Sequence, residues 1–145
     1  MTPKEADMTN KVFADLHFFI TKHAQTRMQQ RSFSEADIAT IDQCGTVIND
    51  WEILLTNKDV ERETSPIRNQ IKSLQRRADK ARVKLCGTRA KNITREMHAD
   101  IATLRQQIAN LERLRNCKIV VEGNRLVTCY NCSKSELKRI SRIIN

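Results

Sequence analysis

The most regular pattern of apolar positions lies in the middle of the chain. Ile67, Ile71, Leu74, Ala78, Ala81 and Leu85 follow one another at spacings of 4, 3, 4, 3 and 4. Met97, Ile101, Leu104, Ile108 and Leu111 repeat 4, 3, 4, 3, with Ile93 one turn earlier. Such spacing keeps the apolar side chains on one stripe of a helix. Ser65-Pro66 offers a first-turn proline, Gly87 a residue able to close a helix in the left-handed region, and Thr88 an N-cap. Two helices of similar length joined this tightly are predicted to fold back as an antiparallel coiled-coil hairpin over 64–116.

The flanks follow other periods. Lys118–Glu122 and Arg125–Tyr130 are rich in β-branched residues and separated by Gly123-Asn124, the signature of a β-hairpin. Ser133 and Glu136 have capping-box spacing ahead of Leu137, Ile140 and Ile144, which predicts a short terminal amphipathic helix. Near the start, Thr21 caps a predicted helix over about 22–31, and Ser34 caps another over about 35–43 that stops near Gly45. The stretches 12–20 and 47–55 are apolar without deciding between strand and helix. The expected fold class is α+β. Residues 1–63 and 117–145 form one discontinuous domain, an antiparallel sheet with N-terminal helices, interrupted by the hairpin of 64–116.

Charge changes the picture because it is unevenly spread. Residues 1–63 carry 7 basic and 11 acidic side chains, 64–116 carry 13 and 4, and 117–145 carry 6 and 2, for a net +9 over 145 residues. The first hairpin helix and its turn present Arg68, Lys72, Arg76, Arg77, Lys80, Arg82, Lys84, Arg89 and Lys91 against a single acid, Asp79. Self-repulsion on that scale is offset by a polyanion, so these nine residues are the expected nucleic-acid-binding set. Pairing of two hairpins into a four-helix homodimer is the structural competitor. No apolar run reaches the roughly 18 residues of a membrane helix. The first residues lack the apolar core of a signal peptide, which leads to an expected cytoplasmic location without membrane contact. The odd count of five cysteines is then read as reduced thiols.

Candidate chemistry is confined to few residues. His23, Arg27 and Arg31 stand at i, i+4 and i+8, so they stack along one helical face with about 40° of drift per step. Histidine can exchange a proton near neutral pH, and arginines beside it can clamp a phosphate and stabilise developing charge. Cys129-x-x-Cys132 is only half of a zinc site, because Cys117 and His98 lack motif spacing, and no metal or other cofactor is expected. His17 is read as structural, His98 as a solvated side chain and Trp51 as core.

The run Thr21-Lys-His-Ala-x-x-Arg-Met-x-x-Arg-Ser-Phe-Ser-Glu-Ala-Asp-Ile38, followed by Gly45, Val47-Ile48 and the ending Leu126-Val-Thr-Cys-Tyr130, resembles a bacterial and phage family of unknown function. That family has an H-A-x-x-R-M-x-x-R signature and a later V-T-x-Y ending, and is akin to the RelE, barnase, EndoU and colicin D group of small ribonucleases. Phe33 stands where the family prefers Ile, and the hairpin is an addition to its pattern. The resemblance implies a small RelE/barnase-like domain with His23, Arg27, Arg31, Thr128 and Tyr130 as catalytic residues. It also implies a metal-independent endoribonuclease, a toxin or phage effector acting on RNA rather than DNA, with an antitoxin-like or host protein as a partner. The alternative is a non-catalytic nucleic-acid-binding or protein-interaction protein on the same fold.

Overall fold

The computed structural model describes residues 18–84 and 87–144. His17, most of the ambiguous stretch 12–20, and Leu85 and Cys86 of the hairpin turn lie outside them. The described residues form five helices and a five-stranded sheet, and the class is α+β. In chain order they are β1 (Phe19–Ile20), α1 (Lys22–Gln30), α2 (Glu35–Cys44), β2 (Thr46–Asn49), β3 (Glu52–Leu54), α3 (Asn57–Lys84), α4 (Gly87–Arg113), β4 (Cys117–Glu122), β5 (Arg125–Asn131) and α5 (Lys134–Ile144). The chain divides into two compact units, one made from Met1–Asp59 and Leu114–Asn145, the other from Val60–Arg113.

In the first unit the strands lie in the order β1-β5-β4-β3-β2. Neighbours among β2 to β5 run antiparallel, but β1 pairs in parallel with β5, Ile20 opposite Leu126. The sheet is therefore mixed, which corrects the expected all-antiparallel sheet. Two residues of β1 suffice for this because α1 follows at once and carries the chain back over β5. The stretch 47–55 is a hairpin of two short strands, with Trp51 at its turn and 53% exposed. Trp51 is thus not core. Its backbone is what holds it, N–H donating to Asn49 Oδ1 (2.8 Å) and C=O accepting from Val121 N (2.6 Å).

Helix ends follow side-chain oxygens that satisfy otherwise unpaired amides. Thr21 Oγ1 accepts from Ala24 N at 3.1 Å. Ser34 and Asp37 form a reciprocal capping box on α2. Ser133 Oγ accepts from Glu136 N at 3.2 Å.

The sheet has two covered faces. Pairings Ile119↔Cys129 and Val121↔Leu126 put these four residues on one side, whereas Lys118↔Tyr130 and Val120↔Thr128 put those four on the other. A bulge at Val127 lets Leu126 and Thr128 face opposite sides although they stand two positions apart. The first side meets α1 and α2, whose Ala24, Met28, Ile38 and Ile41 are buried. The second meets α5, where Leu54, Cys132 and Ile140 form a core edged by Ile48, Tyr130 and Leu137.

The second unit is the helical hairpin. The described residues of its apolar series are buried or half-buried, Ile71, Ala78, Ile101 and Leu111 among the buried ones, and Val60, Thr64 and Ala90 are buried beside them. The first helix begins at Asn57, not at Pro66. Thr56 and Asp59 explain the earlier start: Asp59 Oδ2 accepts from Thr56 N (2.9 Å) and Thr56 Oγ1 (2.8 Å), and Thr56 Oγ1 accepts from Asp59 N (3.1 Å). This N-terminal box outweighs the single hydrogen bond that Pro66 removes inside the helix. Gly87 has a φ of +73° and opens α4 itself, one residue ahead of the expected cap Thr88.

Candidate functional site

α1 ends in a way that fixes where Arg31 points. Ser32 N donates to Gln29 O and Phe33 N to Met28 O (2.8 Å), a Schellman closure in which Ser32 takes a φ of +58°, where glycine is usual. Arg31, the C-cap, leaves the helix at the edge of β5. Its guanidinium donates to Cys129 O at 2.6 Å, lies 3.5 Å from Thr128 Oγ1 and sits 5.8 Å from the centre of the Tyr130 ring. At the other end of α1, Thr21 Oγ1 donates to Leu126 O at 3.1 Å, so the helix is tied to β5 at both ends.

Arg31, Thr128 and Tyr130 are thereby brought together at the strand edge. His23 and Arg27 do not join them there. His23 is exposed on the first turn of α1 and has no hydrogen-bond or ion-pair partner among the described residues. Arg27 reaches Gln30 Oε1 at 3.5 Å. Eight residues of helix separate His23 from Arg31, about 12 Å along the axis. Thr128 and Tyr130 also project from the sheet side that carries α5, whereas α1 covers the opposite side.

Behind Tyr130 stands a buried charge cluster. Lys118, 1% exposed, donates to Glu136 Oε1 (2.7 Å) and Glu52 Oε1 (2.8 Å), and its ammonium lies 4.9 Å from the Tyr130 ring centre. The Tyr130 hydroxyl donates to the same Glu136 oxygen at 2.7 Å. Burial pulls the Lys118 pKa down, but the bonds to Glu136, Glu52 and Tyr130 more than offset it and hold the ammonium well above the ordinary lysine range. Burial also opposes ionisation of Glu136, yet the Lys118 and Tyr130 bonds keep its carboxyl below the usual value. Burial leads the upward shift of Tyr130, which stays a neutral phenol. Cys129 is pushed up to about 11 by burial, against the pull of Arg31, and Cys132 to about 12 by burial and then Glu136. The four described cysteines form no disulfide with one another, and no group of three metal-ligating side chains occurs among the described residues.

Sequence reasoning missed Lys118, Glu52 and this role of Glu136. Glu136 has capping-box spacing, and its carboxylate turns instead to Lys118. A lysine inside the apolar run of β4 was the available signal, because a buried ammonium needs carboxylate partners.

The basic set of the hairpin is not uniform. Arg68 is engaged by Glu112 (3.0 Å) and Glu61 (3.4 Å), and Arg82 by Asp79. Lys72, Arg76, Arg77, Lys80, Lys84, Arg89 and Lys91 are exposed and have no acidic partner among the described residues. His98 is exposed on α4. No described helix is long and apolar enough to cross a membrane. Comparison with protein-family models, curated proteins and solved structures finds no match to this chain.

Proposed function

We propose that this protein binds nucleic acid, RNA above all, through its helical hairpin. The observation that carries the reading is the row of seven exposed, acid-free cations on 72–91. Holding like charges together in a folded unit is unfavourable, and a phosphate backbone offsets that cost while releasing counterions. Replacing Arg76, Arg77, Lys80 and Lys84 by Gln is expected to weaken RNA binding. It should also reduce the slope of log K against log salt by about 0.7–0.9 for each phosphate that the protein no longer neutralises. An unchanged slope refutes the reading.

A second reading rests on the juxtaposition of Arg31, Thr128 and Tyr130 at the edge of β5. It takes the first unit as a RelE/barnase-like domain of the family that its H-A-x-x-R-M-x-x-R and V-T-x-Y residues resemble, and as a metal-independent endoribonuclease. In such a site Arg31 would hold the phosphate and the neutral phenol of Tyr130 could serve only as a donor, while His23 and Arg27, which do not reach that edge, would stand outside it. Labelled RNA incubated with EDTA tests it. Cleavage to 2′,3′-cyclic or 3′-phosphate ends, abolished in Arg31→Ala, supports the enzyme, and tight binding without cleavage leaves the binding protein alone.

A further inference from the structure

One flank of the hairpin is concave. A groove of about 340 Å³ runs between α3 and α4, floored by Ala78, Ile101 and Ala102 and rimmed by Gln75, Asp79, Arg82, His98 and Arg105. The spacings repeat on the two helices: Gln75 and Arg82 are seven apart, as are His98 and Arg105, with Ala78 lining the groove between the first pair and Ile101 and Ala102 between the second. Ala78 and Ala102 are too small to fill the space between the outer side chains, and the buried Ile101 completes the apolar floor. The rim is polar and cationic. Asp79, its single acid, is neutralised by Arg82, whereas Arg105 and His98 have no acidic partner among the described residues. At about 100° per residue, Lys72 and Arg76 come about 60° and 100° round α3 from Gln75, and Arg95 about 60° round α4 from His98. More cations therefore border the groove on both helices.

We propose that this groove seats one unstacked nucleotide of a single strand, its base on Ala78, Ile101 and Ala102 beside the Arg82 guanidinium and its phosphate on Arg105. The inference rests on the hairpin reading above and names the form of nucleic acid that it takes. The volume lies at the small end of ligand pockets, enough for one heterocycle and too little for a base pair. A single strand can turn out a base, and an arginine plane can stack on its face while a second arginine clamps phosphate. A duplex keeps its bases inside and offers this groove only its backbone.

Fluorescence anisotropy of the full-length protein with a labelled oligouridylate and with a labelled RNA duplex tests the proposal. Ala102→Leu fills the groove from an exposed helix position, offers no stacking ring and alters no charge. It is expected to weaken single-strand binding about tenfold, the size of a single base's contribution, with duplex affinity and the salt slope unchanged. Circular dichroism checks that the helices persist. Arg105→Gln serves as the second variant and is expected to weaken single-strand binding more than duplex binding. Wild-type affinity for the single strand in both variants overturns the groove. If the four-cation variant is still weakened in that case, the hairpin reading survives without it. Failure of the wild-type protein to bind either RNA overturns both.

Discussion

Replacing Lys118 by Met removes the buried cation from the cluster beneath Tyr130 and keeps a side chain of similar length, while the exposed Arg139 remains 3.8 Å from Glu136 Oε1. The wild-type ammonium is enclosed and makes two charged hydrogen bonds, at 2.7 and 2.8 Å. Removing one partner of a buried ion pair typically costs about 3–5 kcal/mol. Glu136 and Glu52 retain 16% and 26% side-chain exposure, so water screens part of the carboxylate repulsion that follows. A destabilisation of about 3 kcal/mol at pH 7 is therefore expected. The pH dependence is more diagnostic than the magnitude. The folded-state pKa of Glu136 is depressed, so its ionisation stabilises the wild type above the ordinary glutamate value of about 4.3, and that contribution fades as pH falls through the depressed value. In Lys118→Met, Glu136 loses the hydrogen bond that does most to lower its pKa and takes up its proton at higher pH, which relieves its repulsion with Glu52. The difference between the two proteins should shrink from pH 7 to pH 3. Trp51 is the chain's single tryptophan and belongs to the same unit, so urea unfolding followed by its fluorescence reports the relevant transition. A variant as stable as wild type at pH 7, or an equal destabilisation at both pH values, refutes the reasoning.

Local geometry sets two further outcomes. Gly45→Ala places a methyl 2.5 Å from Ile41 O and 2.7 Å from Ile53 Cγ2, and should cost about 1–3 kcal/mol in the same urea assay; unchanged stability would mean that the α2–β2 corner yields easily. Iodoacetamide at pH 8 should label the half-buried Cys44 at least about tenfold faster than Cys129 or Cys132, which are buried with thiols pushed up to about 11 and 12. Peptide mapping by mass spectrometry reads the rates, and equal rates would contradict the buried state of β5.

What the sequence made legible was local. Thr21, Ser34 and Ser133 mark helix starts because each serves an amide within three residues, and Gly123-Asn124 marks a turn because it joins adjacent strands. Both hairpin stripes are legible for the same reason, since a few residues of helix carry their own period. The remaining features depend on partners far along the chain. Lys118 meets Glu52 across 66 residues, and no local rule distinguishes it from a surface lysine. β1 joins β5 in parallel across a separation of 106 residues, with only two residues to show for it. At Pro66 two local signals competed, and the capping box at Thr56 won because it satisfies several groups where proline forfeits one. In the candidate site, the helical spacing of His23, Arg27 and Arg31 was readable. Which sheet side Thr128 and Tyr130 face was not, because one bulged residue, Val127, reverses the alternation.

The strands on either side of the hairpin have a consequence for how the chain folds. Leu55 and Cys117 are hydrogen-bonded neighbours, Leu55 N donating to Cys117 O at 3.0 Å and Asn116 N to Leu55 O at 2.8 Å, yet 62 residues separate them in the chain. Closing a flexible loop of that length costs about 2 kcal/mol more in chain entropy than closing one of a few residues. An antiparallel pair of helices returns the chain to where it left, and its contacts are mostly local, so it can form first and shorten the effective loop before β3 meets β4. The excursion then acts as a clasp for the sheet that it interrupts. Weakening the hairpin, for example with Leu104→Asp, should slow the refolding step seen at Trp51, although the substituted residue belongs to the other unit.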